Sequence, residues 1–237
     1  MKRTGGQSQM ESCLLLKEIV KRYESGKKKN HSVTEALRGI SLNIGKGEFV
    51  AVTGRSGCGK STLLNIMGGM DRQTSGEYLF CGQKISDMNT RELARFRNQS
   101  IGFVFQAFYL AKELNAVDNV AMPLGYAHVK YRERKRRAQE ALVSVGLGSK
   151  FRAYPAQLSG GEQQRAAIAR AIVNHPGVLL ADEPTGNLDQ ENGQKIMDLL
   201  HRLHRDGMTI VMVTHDLALA EQADRMIYME DGRQKKE

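Results

Sequence analysis

Gly54-Arg55-Ser56-Gly57-Cys58-Gly59-Lys60-Ser61-Thr62 fits the pattern G-x-x-x-x-G-K-[ST]. Glu48-Phe49-Val50-Ala51-Val52 before it reads as a buried strand, and Leu63-Leu64-Asn65-Ile66-Met67 after it continues a helix. A glycine-rich turn capping a helix would explain the glycines alone, but the order strand, loop, helix favours a phosphate-binding loop. The glycines let the backbone curl until consecutive N–H groups face one anion, and the helix adds its positive N-terminal end. In that geometry residues Gly54, Arg55, Ser56, Gly57, Cys58 and Gly59 wrap the phosphates. Lys60 reaches the β- and γ-phosphates, Ser61 ligates Mg²⁺, and Thr62 adds a further hydroxyl.

A chain of 237 residues can bury a sizeable core, as one domain with two lobes or as two small domains. Its longest apolar runs, such as Ile210-Val211-Met212-Val213, fall far short of the roughly 18 residues a membrane helix needs. Met1 to Gln9 is polar, without the apolar stretch of a signal peptide, and residues 1–10 are expected to be flexible. Cys13, Cys58 and Cys81 form neither a metal pattern nor an even disulfide set, which suits a reducing cytoplasm. The net charge of +9 invites a polyanion as partner. Its two clusters, Lys27 to Lys29 and Arg132 to Arg137, read better as a loop tip and the solvated face of a helix, with an anionic membrane surface as the second choice.

Leu14 to Tyr23 and Ala36 to Ile44 read as paired antiparallel strands, followed by a short strand at Glu77 to Phe80. Arg91 to Arg97 is helical, and Ile101 to Phe105 is a buried strand that delivers Gln106 to its end. From Ala107 to Gln157 the composition turns helical, clearest over Arg132 to Val145, which reads as a helical lobe inserted into an α/β core. The rest alternates: helix from Gly161 to Asn174, strand Val178 to Ala181, helix Gln190 to Leu203, strand Thr209 to Val213, helix Leu217 to Ala223, strand Arg225 to Met229. Such alternation predicts a largely parallel sheet covered by helices. Ligands of such sheets bind at the carboxyl ends of strands, where the loop, Gln106, Asp182 and His215 would gather.

Asp182 and Glu183 directly follow an apolar run. An Asp there often caps a helix, yet beside a phosphate loop it fits the Mg²⁺ shell, with Glu183 as general base toward a water attacking the γ-phosphate. His215 would hydrogen-bond the γ-phosphate or fix that water, and Gln106 would ligate Mg²⁺ or water. The plain alternatives are a surface histidine and a structural amide. Tyr23 offers a face for an adenine ring, or is simply sheet surface. In Leu158-Ser159-Gly160-Gly161-Glu162-Gln163-Gln164-Arg165, Ser159, Gly160 and Gly161 open a helix as a second anion site, while Ser159 with Glu162 also makes a capping box.

Taken together and in order, these motifs resemble the nucleotide-binding subunit of ATP-binding cassette (ABC) transporters over nearly the whole chain. The matching segments are Tyr23, the loop Gly54–Thr62, Gln106, the signature Leu158–Gln163, Asp182-Glu183, Asn187-Leu188-Asp189 and His215. The resemblance implies an α/β P-loop NTPase fold over residues 11–237. A RecA-like core would span 45–106 and 158–237, with an antiparallel part at 11–44 and 75–82 and a helical subdomain at about 107–157. It further implies ATP and Mg²⁺ as ligands and a homodimer that sandwiches two ATP molecules, Ser159 to Glu162 of one copy completing the site of Lys60 in the other. A membrane permease would bind through the helical lobe near Phe108, Tyr109 and Leu110, holding the subunit on the inner face of the membrane, with core packing of these three as the plain alternative. Within the family, Phe103 to Gln106, Glu162 to Arg165 and Gly186 to Asp189 look like the lipoprotein-releasing and macrolide-efflux (LolD/MacB-like) group. The competing readings are a division-type ATPase (FtsE) and a nucleic-acid-associated cassette. The latter is disfavoured because neither a long coiled-coil insertion nor a second cassette is present, and a GTPase is disfavoured because no Asn-Lys-x-Asp motif occurs.

Overall fold

A computed structural model of the chain describes residues 11–25 and 32–235. The lysines 27–29 and the segment expected to be flexible, 1–10, lie outside the described residues. In chain order the first half holds β1 (Ser12–Ser25), β2 (Ser32–Gly45), β3 (Phe49–Gly54), α1 (Lys60–Met67), β4 (Ser75–Phe80), β5 (Gln83–Lys84), α2 (Thr90–Ser100) and β6 (Ile101–Phe105). The second half holds α3 (Ala116–Tyr126), α4 (Tyr131–Ser144), α5 (Gly160–Ile172), β7 (Val178–Asp182), α6 (Gln190–Arg205), β8 (Thr209–Val213), α7 (Leu217–Ala220), β9 (Arg225–Glu230) and β10 (Arg233–Gln234).

Two sheets result. β2, β1, β4 and β5 form an antiparallel sheet in that order. One face is buried because Leu37, Ile40, Leu42 and Ile44 point inward. The second sheet runs β10-β9-β3-β8-β7-β6, with β9, β3, β8, β7 and β6 mutually parallel. Its central strands read as continuous apolar runs because both faces are covered. One face packs with α1 and α2 against the antiparallel sheet, around the fully buried Tyr78, whose hydroxyl donates to the Met67 carbonyl at 2.6 Å. The other face packs under α3, α4, α5 and α6.

Parallel pairing brings four carboxyl ends to one edge: Gly54, Phe105, Asp182 and Val213. The stretch between Gln106 and α3 is irregular, held by the buried side chain of Asn119. That amide accepts from the N–H of Ala111 at 2.7 Å and donates to the carbonyls of Ala111 and Leu114 at 3.0 and 2.8 Å. Two features differ from the sequence reading. The helix expected to reach Ala223 stops at Ala220, since Gln222 and Ala223 turn back on Leu219 and Ala220. The edge strands β5 and β10, of two residues each, are too short to leave a periodic signal.

Candidate active site

The loop Gly54–Gly59 joins β3 to α1. Gly54 (φ 147) lies against the Met229 carbonyl, and a Cβ built there would stand 2.1 Å from that oxygen. Gly59, the N-cap of α1, has φ 103, and its built Cβ would lie 2.5 Å from the Ala36 carbonyl. Both positions therefore require glycine. The Lys60 side chain is buried, and its ammonium donates to the carbonyls of Gly54 and Arg55 at 2.7 and 2.9 Å. A cavity of about 410 Å³ opens above, lined by Ala36, Ser56, Gly57, Gly59, Lys60, Ser61, Thr62, Glu183, Val213 and His215.

Asp182 ends β7 beside the start of α1. Burial pushes its carboxyl above the usual range, a hydrogen bond from Ser61 opposes this, the Glu183 charge adds to it, and the Lys60 charge opposes it. A hydroxyl and a buried carboxylate side by side are hard oxygen donors of the kind Mg²⁺ takes, and a cation there would favour the ionised acid. Glu183 sits in the left-handed region at φ 45, its N–H held by the Val213 carbonyl at 2.9 Å. Such backbone strain outside glycine concentrates at functional sites. Its carboxylate accepts from Nδ1–H of the exposed His215 at 2.8 Å.

The remaining candidates take other partners. Gln106 lies outside the cavity lining and turns toward Asn187: its Nε2 reaches Asn187 Oδ1 at 3.3 Å, and Asn187 Nδ2 donates to the Gln106 carbonyl at 2.9 Å. Tyr23 donates its hydroxyl to Asp71 at 2.7 Å under the Lys21 ammonium, and also reaches the Thr62 hydroxyl beside the loop. Ser159 and Glu162 form the capping box on α5: Ser159 N–H donates to Glu162 Oε2 at 2.8 Å, and Glu162 N–H to Ser159 Oγ at 3.3 Å. Gly160 and Gly161 face Leu188 and Asn192 at the start of α6, and no residue of Leu158–Glu162 lines the cavity.

Residues 37–186 match the family model described as "ABC transporter". The chain belongs to the ABC transporter family. This cassette is 48% identical to an ABC transporter ATP-binding protein of Thermotoga maritima over 94% of both chains. It is 45% identical to the macrolide export ATP-binding/permease protein MacB of Bartonella quintana over 94% of its own length, and spans about a third of that relative. Among solved structures, the MJ0796 cassette in a dimeric post-hydrolysis state bound to ADP and Pi superposes with a TM-score of 0.85, at 43% identity and 94% and 97% coverage. The chain is thus an ATP-binding, ATP-hydrolysing cassette with ATP and Mg²⁺ as its ligands.

One residue of this ABC cassette lies within a quoted motif that gives it no role. Gln164, fully buried on α5, donates from Nε2 to the carbonyls of Phe105 at 3.2 Å and Pro184 at 2.6 Å. Its signal is a polar residue on the same i, i+3, i+4 face as the buried Ala167 and Ile168. A second cavity, about 730 Å³, lies between α2, β6 and α3, with Arg91, Arg95, Phe103, Phe105, Tyr126 and Arg170 among its walls and none of the phosphate loop. No helix among the described residues is long and apolar enough to cross a membrane.

Proposed function

We propose that two copies of this chain close head to tail around two ATP molecules and energise a membrane permease of the MacB/LolD type. The cargo would be a lipoprotein, peptide or drug, exported or extracted from the membrane. The observation that carries this reading is the division of the site. Lys60, Glu183 and His215 share one cavity, while the second helix N-terminus, Ser159 to Gly161, contributes nothing to it. Each chain then holds two half-sites, and the dimeric MJ0796 cassette is a precedent for joining them.

In this reading Lys60 exchanges the carbonyls of Gly54 and Arg55 for the β- and γ-phosphates. Mg²⁺, held by Ser61 and Asp182, would neutralise phosphate charge. Glu183 accepts the proton of the attacking water, and His215 holds the carboxylate that receives it. Gln106 and Asn187 move as a pair at the rim. Tyr23 supplies the aromatic face for the adenine, and Ser159 with the N–H groups of Gly160, Gly161 and Glu162 caps the γ-phosphate of the partner copy.

The permease would meet the face beyond Gln106. Tyr109 is 69% exposed there, with the carbonyls of Phe108 and Tyr109 gripped by Arg170 at 3.0 and 2.6 Å, while Leu110 packs inward. Such docking would hold the cassette on the inner face of the membrane. The test is Glu183→Gln with ATP, measured by light scattering. The expected result is a stable dimer that barely turns over; a monomer with a wild-type hydrolysis rate would overturn the assignment.

A further inference from the structure

We propose that Gln164 is a positioning residue that sets the spacing between the two segments carrying Gln106 and Glu183. Phe105 directly precedes Gln106, and Pro184 directly follows Glu183, so one amide nitrogen spans both loops from the signature helix α5. Both partners are carbonyls, which only accept, so the NH₂ end must face them and the amide has a single usable orientation. Its two N–H groups match the two carbonyls one to one.

Two other contacts bind the same parts together. The Gln106–Asn187 pair joins the loop after β6 to the loop after β7 on the solvent side. Gly186 lies so near Gln106 that a Cβ built there would stand 2.8 Å from Nε2. The Glu183 N–H is tied to β8. Gln164 is the buried fastening beneath this exposed one. Arg170, also on α5, holds only the loop after β6, through the carbonyls of Phe108 and Tyr109, whereas Gln164 reaches both segments from the helix capped by Ser159. A shift of α5 would pull on the carbonyls flanking Gln106 and Glu183 together. Gln164 Oε1 is buried without a partner, a cost set against the two hydrogen bonds that its Nε2 donates. An apolar residue of the same length would fill the space without that defect, but would leave two carbonyls unpaired and the loops unlinked.

This inference rests on the roles proposed for Gln106 and Glu183. Gln164→Met keeps length and volume and removes the donors. The expected result is a kcat for ATP lowered by about tenfold to hundredfold, as for an ångström-scale misplacement of catalytic groups, with the KM for ATP changed less than about twofold because the phosphate loop is untouched. Combined with Gln106→Ala, the losses should be less than multiplicative, since both variants disturb one linked unit. A wild-type kcat in the folded Gln164→Met protein, or losses that multiply in the double variant, would overturn the proposal. A role in stability alone would lower the melting temperature and leave kcat intact, which also overturns it. Should Gln164→Met fail to fold, Gln164→Asn retains an amide too short to span both carbonyls, with the same kcat loss expected and the same refutation. Glu183→Gln run in parallel checks the underlying reading separately, because a wild-type rate there would remove the assignment of Glu183 while wild-type kcat in Gln164→Met alone removes only the clamp.

Discussion

Replacing His215 by Ala separates catalysis from stability, because the ring is 69% exposed yet bonded to Glu183 at 2.8 Å. A hydrogen bond to a charged group is worth about 1.5–3 kcal/mol when shielded. At this exposure solvent competes, so the bond should contribute about 0.5–1 kcal/mol to folding. For a domain of this size that lowers Tm by about 1–4 °C. The effect on hydrolysis should be far larger. Without the ring the carboxylate is free to rotate away from the cavity, and loss of such proton-transfer geometry costs about 10²–10⁴ in rate. Phosphate release at saturating ATP, with a thermal melt of the same sample, reads both quantities. A kcat within about twofold of wild type would refute the role given to the Glu183–His215 pair, and a fall in Tm beyond about 5 °C would show the ring to be structural.

Gly54→Ala should lower stability by about 2 kcal/mol or more and abolish ATP binding, since its Cβ meets the Met229 carbonyl. Gly57→Ala in the same loop meets no atom within 4 Å and should cost only about 1 kcal/mol from its positive φ; equal melting temperatures for the two would contradict the packing argument. Burial alone would raise the Asp71 carboxyl, but Lys21, Tyr23 and the Arg72 N–H together hold it below the usual range. Its stabilising contribution is therefore present above about pH 4 and lost as pH falls through the folded value. Urea melts should find Lys21→Met less stable than wild type at neutral pH, with the gap closing near pH 2; a constant gap would deny the linkage. The Cys13 and Cys81 sulfurs lie 3.8 Å apart across β1 and the β4–β5 turn, with burial, then Cys81, pushing the Cys13 thiol up to about 12. A small-molecule disulfide should react at the exposed Cys81 and stop at the mixed disulfide at neutral pH, because the buried Cys13 stays a neutral thiol. The strands should link only under alkaline conditions; peptide mapping that finds a Cys13–Cys81 link formed readily at neutral pH would count against this.

The strands whose bounds are most closely legible in the sequence are those covered on both faces. Ile101–Phe105 and Thr209–Val213 occupy the residues their apolar runs indicated, because a run of five mostly apolar residues is the length of a strand and too short for a helix. The site was legible as strand ends, since parallel topology forces Gly54, Asp182 and Val213 to one edge. What escaped is non-local. Nothing in the spacing of Lys60 indicates that its ammonium folds back on Gly54 and Arg55, nor that Gln106 pairs with Asn187, 81 residues away. The pairing of Cys13 with Cys81 leaves no sequence signal, since 68 residues separate them and the β1–β4 register brings them together. Glu18, at φ 49, sits at a register shift of β1 between Leu16 and Ile19, and no local pattern announces it.

If one chain carries two halves of different ATP sites, hydrolysis must depend on dimer formation. Phosphate release per subunit should be measured across a wide range of protein concentration, with the oligomeric state followed by light scattering in the same buffer. The specific rate should rise with concentration and saturate as dimer forms on ATP. A rate per subunit independent of concentration, in a chain that remains monomeric, would contradict it.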